Sequence, residues 1–171
     1  MRALVAYATQ YGATREIAAQ IAQTLTDNGI DTTLKPVDDA VSTDVFDAFV
    51  VGSAIHAGHW LKPAAEFVER HEAVLAKHPV WLFSSGPIGD AADKPQPDPK
   101  DVTKLLAEIT VRSHVVFGGA FDRTSTSNGG WLERAVGRFI PEGDYRDWAE
   151  IEAWARDIAR QLKAGEPVLS R

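Results

Sequence analysis

Residues 7–14 of this 171-residue chain, Tyr-Ala-Thr-Gln-Tyr-Gly-Ala-Thr, end an apolar strand, turn through a glycine and open an amphipathic helix. A junction of this kind begins a strand-helix unit, the building block of a parallel sheet covered by helices. Thr9, Gly12 and Thr14 let backbone N–H groups and threonine hydroxyls converge on one anion at the helix N-terminus, where unpaired amides and the helix dipole favour negative charge. The loop holds no lysine, as a Walker-type nucleotide loop must, and it lacks the G-x-G-x-x-G spacing of a dinucleotide fold. A small phosphomonoester suits it better. Taken alone, the same turn is also an ordinary strand-to-helix connection, so the rest of the chain must decide.

Strand-like and helix-like runs alternate to the end of the chain, which predicts an α/β fold. Ala3-Leu4-Val5-Ala6-Tyr7 reads as a buried strand, and Ile17, Ala18, Ile21, Ala22 and Leu25 mark one face of a helix that stops at Asn28-Gly29. Residues 30–37 alternate like an edge strand, and residues 48–52 read as a fully buried one. A helix starting near Pro63 is expected to bury Ala64, Phe67, Val68, His71, Val74 and Leu75. Residues 80–84 supply a fourth strand, followed by a long Gly-, Pro- and Asp-rich loop over 85–99, a short helix over 101–109 and a fifth strand over 115–118. Asp147-Trp148-Ala149-Glu150 is a capping-box pattern opening a last helix, with Trp148, Ile151, Trp154, Ala155, Ile158 and Leu162 as its buried stripe. One domain is expected over residues 1–165, with a tail over 166–171 that frays.

Charge and cysteine content narrow the function. Lys and Arg total 18 against 24 Asp and Glu, a formal charge of −6, which argues against a general nucleic-acid binder and suits docking to basic partners. With no cysteine in the chain, disulfides, thiolate-bound zinc, iron–sulfur clusters and thiol redox chemistry are excluded, and any redox role needs an organic cofactor. His56 and His59 lack a nearby carboxylate or cysteine in sequence, so no metal site is expected. The first apolar run is too short for a signal segment and no run approaches a membrane span, so a soluble, cytoplasmic protein is expected.

In a doubly wound sheet, ligands bind beyond the carboxyl ends of the strands where strand order reverses. Three loops therefore matter: residues 9–14, 53–60 and 84–90. The second contains Ser53, Ala54, Ile55, His56, Ala57 and Gly58, small or flexible enough for close backbone approach, and then the flat side chains of His59 and Trp60. The third, with Ser84, Ser85, Gly86, Pro87 and Gly89, offers backbone hydrogen bonding from the other side.

The loop Thr9-Gln10-Tyr11-Gly12-Ala13-Thr14 resembles the FMN phosphate loop of flavodoxins. With Val51-Gly52-Ser53, Gly58-His59, Phe117-Gly118-Gly119-Ala120 and Asp147-Trp148 in order along nearly the whole chain, the sequence resembles the menaquinone-dependent protoporphyrinogen oxidase branch of the flavodoxin-like FMN proteins. The resemblance implies a doubly wound five-stranded parallel sheet of order 2-1-3-4-5 with helices on both faces. It implies FMN held by the residues of the three loops, with His59 and Trp60 as walls for the flavin, and a quinone or redox-protein partner. Two departures bear on substrate rather than on FMN: that branch carries Arg-Tyr where this chain has His56-Ala57, and its segment before the last helix is more basic. No side chain stands out as a catalytic acid or base.

Residues 121–143 read as an insertion carrying a short amphipathic helix, with Trp131, Leu132, Ala135, Val136, Phe139 and Ile140 on one side and Arg134 and Arg138 on the other. Either the helix packs on the domain, or Arg123, Arg134 and Arg138 face an acidic substrate, a quinone or, as a peripheral contact, a membrane surface. Three functions follow in order: an FMN-dependent oxidoreductase passing reducing equivalents from an organic donor to a quinone-type acceptor, a flavodoxin-type electron carrier, and an FMN-free interaction module. The acidic residues Asp90, Asp93 and Asp98 are compatible with the carrier, and the intact phosphate loop opposes the interaction module.

Overall fold

The first apolar run forms β1 (Arg2–Ala8), in which every residue after Arg2 is buried, as a strand covered on both faces requires. The computed structural model describes residues 1–39, 42–86, 88–89, 96–122 and 142–165. After β1 come α1 (Ala13–Asp27), β2 (Asp31–Pro36), a 3-10 turn (Thr43–Val45), β3 (Ala48–His56), β4 (His59–Trp60), α2 (Lys62–Leu75), β5 (Val80–Ser85), α3 (Lys100–Glu108), β6 (Val111–Phe117), β7 (Ala120–Phe121), β8 (Gly143–Asp144) and α4 (Trp148–Ala164). The five long strands are parallel and run β2-β1-β3-β5-β6, with β4 folded back antiparallel on β3. Counting only those five, the order is 2-1-3-4-5, so the fold class is the expected doubly wound α/β sheet.

Alternation along each central strand sends successive side chains to opposite helical layers. Val5, Trp81 and Phe83 join Ile17, Ile21 and Leu25 of α1 and Ile151 and Ile158 of α4. Leu4, Phe49, Val51 and Leu82 join Phe67 and Leu75 of α2 and Val102 and Leu105 of α3. α1 stops where Gly29 takes a φ of 79°, and α4 begins with Asp147 accepting hydrogen bonds from the amides of Ala149 and Glu150 and ends at Gly165.

Four expectations need correction. β3 runs four residues further than expected, so Ser53, Ala54, Ile55 and His56 belong to a strand. Small residues there read as loop, but Gly52 leaves room for the Phe83 ring from the neighbouring strand, and the Ser53 hydroxyl accepts the Leu61 amide at 3.0 Å. β6 begins at Val111, because a bulge at Arg112 breaks the alternation by which a strand is recognised: Val80 pairs with Val111 but Trp81 pairs with Ser113. His71 is half-buried rather than core, its Nδ1 facing the Thr43 hydroxyl at 3.1 Å, and burial lowers its pKa. Trp148 is 38% exposed and carries the Arg146 guanidinium 4.5 Å above its ring.

Arg146 ties β8 to α1. Its guanidinium donates to Asp144 at 2.6 and 2.8 Å and to Glu16 at 2.7 Å, while only 8% of its side chain is exposed. The Asp144 carboxyl is held below the usual carboxylate range chiefly by that hydrogen bond. Because both carboxylates are half-exposed and can rehydrate, Arg146→Met should cost about 1–2 kcal/mol, read as a lower midpoint in urea. An unchanged midpoint would show that the fork is ornamental to the fold.

The helix expected within residues 121–143, with Arg123, Arg134 and Arg138, lies outside the described residues, as do Pro87, Asp90, Asp93 and the tail 166–171. No helix among the described residues is long and apolar enough to cross a membrane.

Candidate functional site

The carboxyl ends of β1, β3 and β5 open into a cleft of about 140 Å³ lined by Thr9, Gln10, Tyr11, Ala13, Thr14, Ala54, Ile55, His56, Ser85, Gly86, Ile88, Gly119, Ala120 and Phe121. Its floor is the turn into α1. Gly12 takes a φ of 95°, a left-handed conformation that suits glycine, and its amide donates to Thr9 Oγ1 at 3.0 Å. Gly12, at the N-cap, carries no side chain with which to cap the first turn of α1. Thr14 is 1% exposed, yet it lines the cleft, and its hydroxyl has no hydrogen-bond partner among the described residues. An uncapped helix start, a left-handed glycine and an unspent buried hydroxyl thus share one small concavity with no lysine in it. These groups are what a phosphomonoester would need.

The side walls of the cleft come from two neighbouring strands. The β3–β4 hairpin turns through Ala57 and Gly58, both at positive φ (51° and 79°), a two-residue turn that leaves Ile55 and His56 at the cleft. Opposite, Ser85 and Gly86 end β5, and the Gly86 amide donates to Phe117 O at 3.3 Å. A β-carbon on Gly119 would lie 3.1 Å from Gly86 Cα, and one on Gly118 would collide with the Tyr145 carbonyl, which explains two glycines in succession after β6. Phe121 stands edge-on to Tyr11, ring centroids 5.6 Å apart. This pair separates the cleft from a second one of about 400 Å³ lined by Glu16, Asp122, Glu142, Asp144 and Arg146.

Of the residues expected from sequence, Thr9, Gln10, Tyr11, Ala13, Thr14, Ala54, Ile55, His56, Ser85 and Gly86 meet at the cleft. Gly12 shapes the floor without lining it. Ser53, Gly58, His59, Trp60, Ser84 and Gly89 do not line it. His59 Nδ1 donates to Asp101 at 3.0 Å, and the same carboxylate takes the Trp60 amide at 2.9 Å, a partner in space that sequence proximity did not show. Trp60 is 4% exposed and packs in the α2–α3 core, its indole N–H donating to Ser84 Oγ at 2.7 Å. Their side chains are thus occupied elsewhere, and the apolar wall falls to Ile55, Ile88, Ala120 and Phe121. Gly119, Ala120 and Phe121 were missed as site residues, although the Gly118-Gly119 pair after an apolar strand was the available signal, and Ile88 lay within the third loop without being singled out.

His114, for which no partner was expected, is held on both ring nitrogens: Nδ1 lies 2.7 Å from Asp98 Oδ1 and Nε2 lies 2.8 Å from Ser84 Oγ. Burial lowers its pKa against the opposing pull of Asp98.

Residues 4–147 match the flavodoxin domain family. The chain is 26% identical to the protoporphyrinogen IX dehydrogenase [quinone] of Escherichia coli (strain K12) over 175 aligned positions, covering 93% of this chain and 95% of that protein. Among solved structures it resembles a flavodoxin from the domain Archaea, with a TM-score of 0.64 at 18% identity over 95% of this chain and 99% of that one. It also resembles oxidised flavodoxin 2 from Bacillus cereus, with a TM-score of 0.62 at 19% identity over 95% and 99% of the two chains.

Proposed function

The chain belongs to the flavodoxin domain family, and from that premise we propose that it is an FMN-dependent oxidoreductase taking reducing equivalents from a porphyrinogen-type organic donor to a quinone. FMN is its cofactor, and a flavodoxin-like oxidoreductase is its class. The donor and acceptor are proposed by likeness to the E. coli enzyme, whose name states both, and that likeness runs the length of both chains. On this reading the protein works in porphyrin biosynthesis, in the cytoplasm, with menaquinone or another quinone as acceptor.

One observation carries the cofactor assignment to particular residues: the unspent Thr14 hydroxyl beside the uncapped start of α1. Thr9, Gly12 and Thr14 with the first-turn amides of α1 would hold the phosphate, and Ala54, Ile55, His56, Ser85 and Gly86 would flank the ring. Bound FMN supplies the redox chemistry. The protein's part is to orient and to exclude water: Ile55, Ile88, Ala120 and Phe121 present apolar surface. His56, exposed at the hairpin end, is the titratable side chain on this wall and the candidate to pass a proton to or from a donor.

Purified protein incubated with FMN and desalted should keep a visible flavin spectrum, and anaerobic titration with reductant should bleach it in one two-electron phase. Porphyrinogen and quinone then complete turnover. Loss of all colour on desalting would remove the cofactor reading, and bleaching in two separated one-electron phases would favour a carrier between redox proteins.

A further inference from the structure

The side chains of Trp60, Ser84, His114 and Asp98 form one hydrogen-bonded chain across four segments around the cleft. Its direction is set by chemistry. An indole N–H only donates, so Ser84 Oγ accepts from Trp60 at 2.7 Å. A carboxylate only accepts, so the Asp98 contact at 2.7 Å places the imidazole proton on Nδ1. Nε2 of neutral His114 is then an acceptor, and it takes the one proton Ser84 has to give, at 2.8 Å. Ser84 Oγ, the middle link, thus accepts one hydrogen bond and donates one.

The order resembles a hydrolytic triad, but Ser84 is fully buried and already holds the Trp60 N–H, so it has no face for a substrate. What the chain does instead is mechanical. Ser84 directly precedes Ser85 and Gly86 of one cleft wall, and Trp60 pairs with Ile55 of the other. Asp98 anchors the approach to α3, which is fastened again to the hairpin by Asp101 on His59 and Trp60 and by the Lys100 amide on Gly58 O.

We propose that His114 is a positioning residue for the cofactor cleft and acts as an acid-sensitive latch: neutral, it accepts the Ser84 proton and closes the chain that holds the two walls together, and protonated, it can no longer accept that proton and the chain is weakened at Ser84. The proposal rests on the FMN reading for its effect on the cofactor, but not for the latch itself. A proton on Nε2 turns that nitrogen into a donor. Ser84 Oγ would then face two donors, and its own buried hydroxyl proton would have no acceptor, while the His114–Asp98 pair would persist as an ion pair. Asp98, from the loop before α3, is the charged group that contacts the ring; Arg112 lies two residues back on the same strand, and the His59–Asp101 pair is joined to Trp60 at the other end of the chain. Burial outweighs the stabilising pull of Asp98, so His114 titrates below its ordinary range. The unfolded chain therefore takes up the proton first on acidification, so the closed chain is fully stabilising above about pH 6.5 and loses that contribution as pH falls through the folded value.

The test compares wild type with His114→Gln, whose side-chain oxygen can take the Ser84 proton but cannot titrate. FMN dissociation constants are measured by flavin fluorescence on the full chain at pH 7.5 and at steps down to the lowest pH at which both proteins stay folded. The phosphate of FMN titrates alike with both proteins, so the difference isolates His114. Wild type should lose about tenfold more affinity on acidification than the variant, the cost of orphaning one buried hydroxyl. In the apoprotein the Trp60 indole N–H resonance, assigned with Trp60→Phe, should shift between the same pH values in wild type and stay fixed in the variant. If His114→Gln does not fold, Ser84→Ala cuts the same link and should leave that resonance equally insensitive. An equal loss of FMN affinity in both proteins, or a Trp60 resonance that does not move, overturns the latch. If wild type binds no FMN at pH 7.5, the cofactor reading fails by itself, and the Trp60 resonance decides the latch.

Discussion

Thr14→Val will lower FMN affinity about 10- to 100-fold while leaving the thermal midpoint within a few degrees. The substitution keeps the shape of a side chain that is 1% exposed and removes a hydroxyl with no internal partner among the described residues, so the folded protein loses no hydrogen bond. A bound phosphate, in contrast, loses a hydrogen bond to a charged acceptor, worth about 1.5–3 kcal/mol. Affinity and stability therefore part company, which identifies a ligand contact. Titration of the apoprotein with FMN, beside a melting curve, reads both quantities. Unchanged affinity would mean that the phosphate is held without Thr14, and a large fall in the midpoint would make the residue structural.

The second large effect is on the fold. Gly52→Ala should destabilise the protein by about 3 kcal/mol, the upper range for overpacking a core, and lower its thermal midpoint by roughly 6–12 °C. The Phe83 ring lies across the neighbouring strand so closely that a β-carbon at position 52 would overlap it. The ring has nowhere to retreat, being fully buried and packed against Phe117 and Trp154 with centroids 6.2 Å away in each case. Calorimetry on the variant gives the answer directly, and a midpoint within 2 °C of wild type would show that this layer yields more easily than its packing suggests. Phe83→Leu combined with Gly52→Ala should recover part of the loss, since the shorter side chain vacates the contested space.

Much of this architecture was legible because it rests on local rules. Ala3 to Tyr7 carry no polar residue, Ile17, Ile21 and Leu25 recur at helical spacing, and Asp147 sits where a helix needs a cap; each signal is contained within a few residues. The failures occur where partners are distant in sequence. Val111 belongs to the α2–α3 core while Val115 and Phe117 belong to the other, which strict alternation forbids and the bulge at Arg112 permits. His114 read as solitary because Ser84 and Asp98 lie 30 and 16 residues away. Trp60 and His59 looked like open flat surfaces because Ser84 and Asp101 were too far along the chain to be recognised as their partners. The floor of the cleft was therefore readable as a contiguous motif. Its walls were not, since Phe121 reaches Tyr11 across 110 residues of chain and only folding brings them together.

The turn at residues 9–14 is held by its own chain, with the Gly12 amide on Thr9 and a backbone conformation that glycine adopts without strain. Its ordering entropy is therefore met during folding, so that a phosphate held there, as proposed, would meet a turn already formed. With no lysine in the loop, recognition there depends on short-range dipoles. Attraction of this kind fades within a few ångströms and is little affected by the ionic atmosphere that weakens cation-lined sites. On the proposed reading the loop would select by shape: a tetrahedral phosphate would satisfy several fixed donors together, whereas a chloride or a flat carboxylate would meet too few of them to stay.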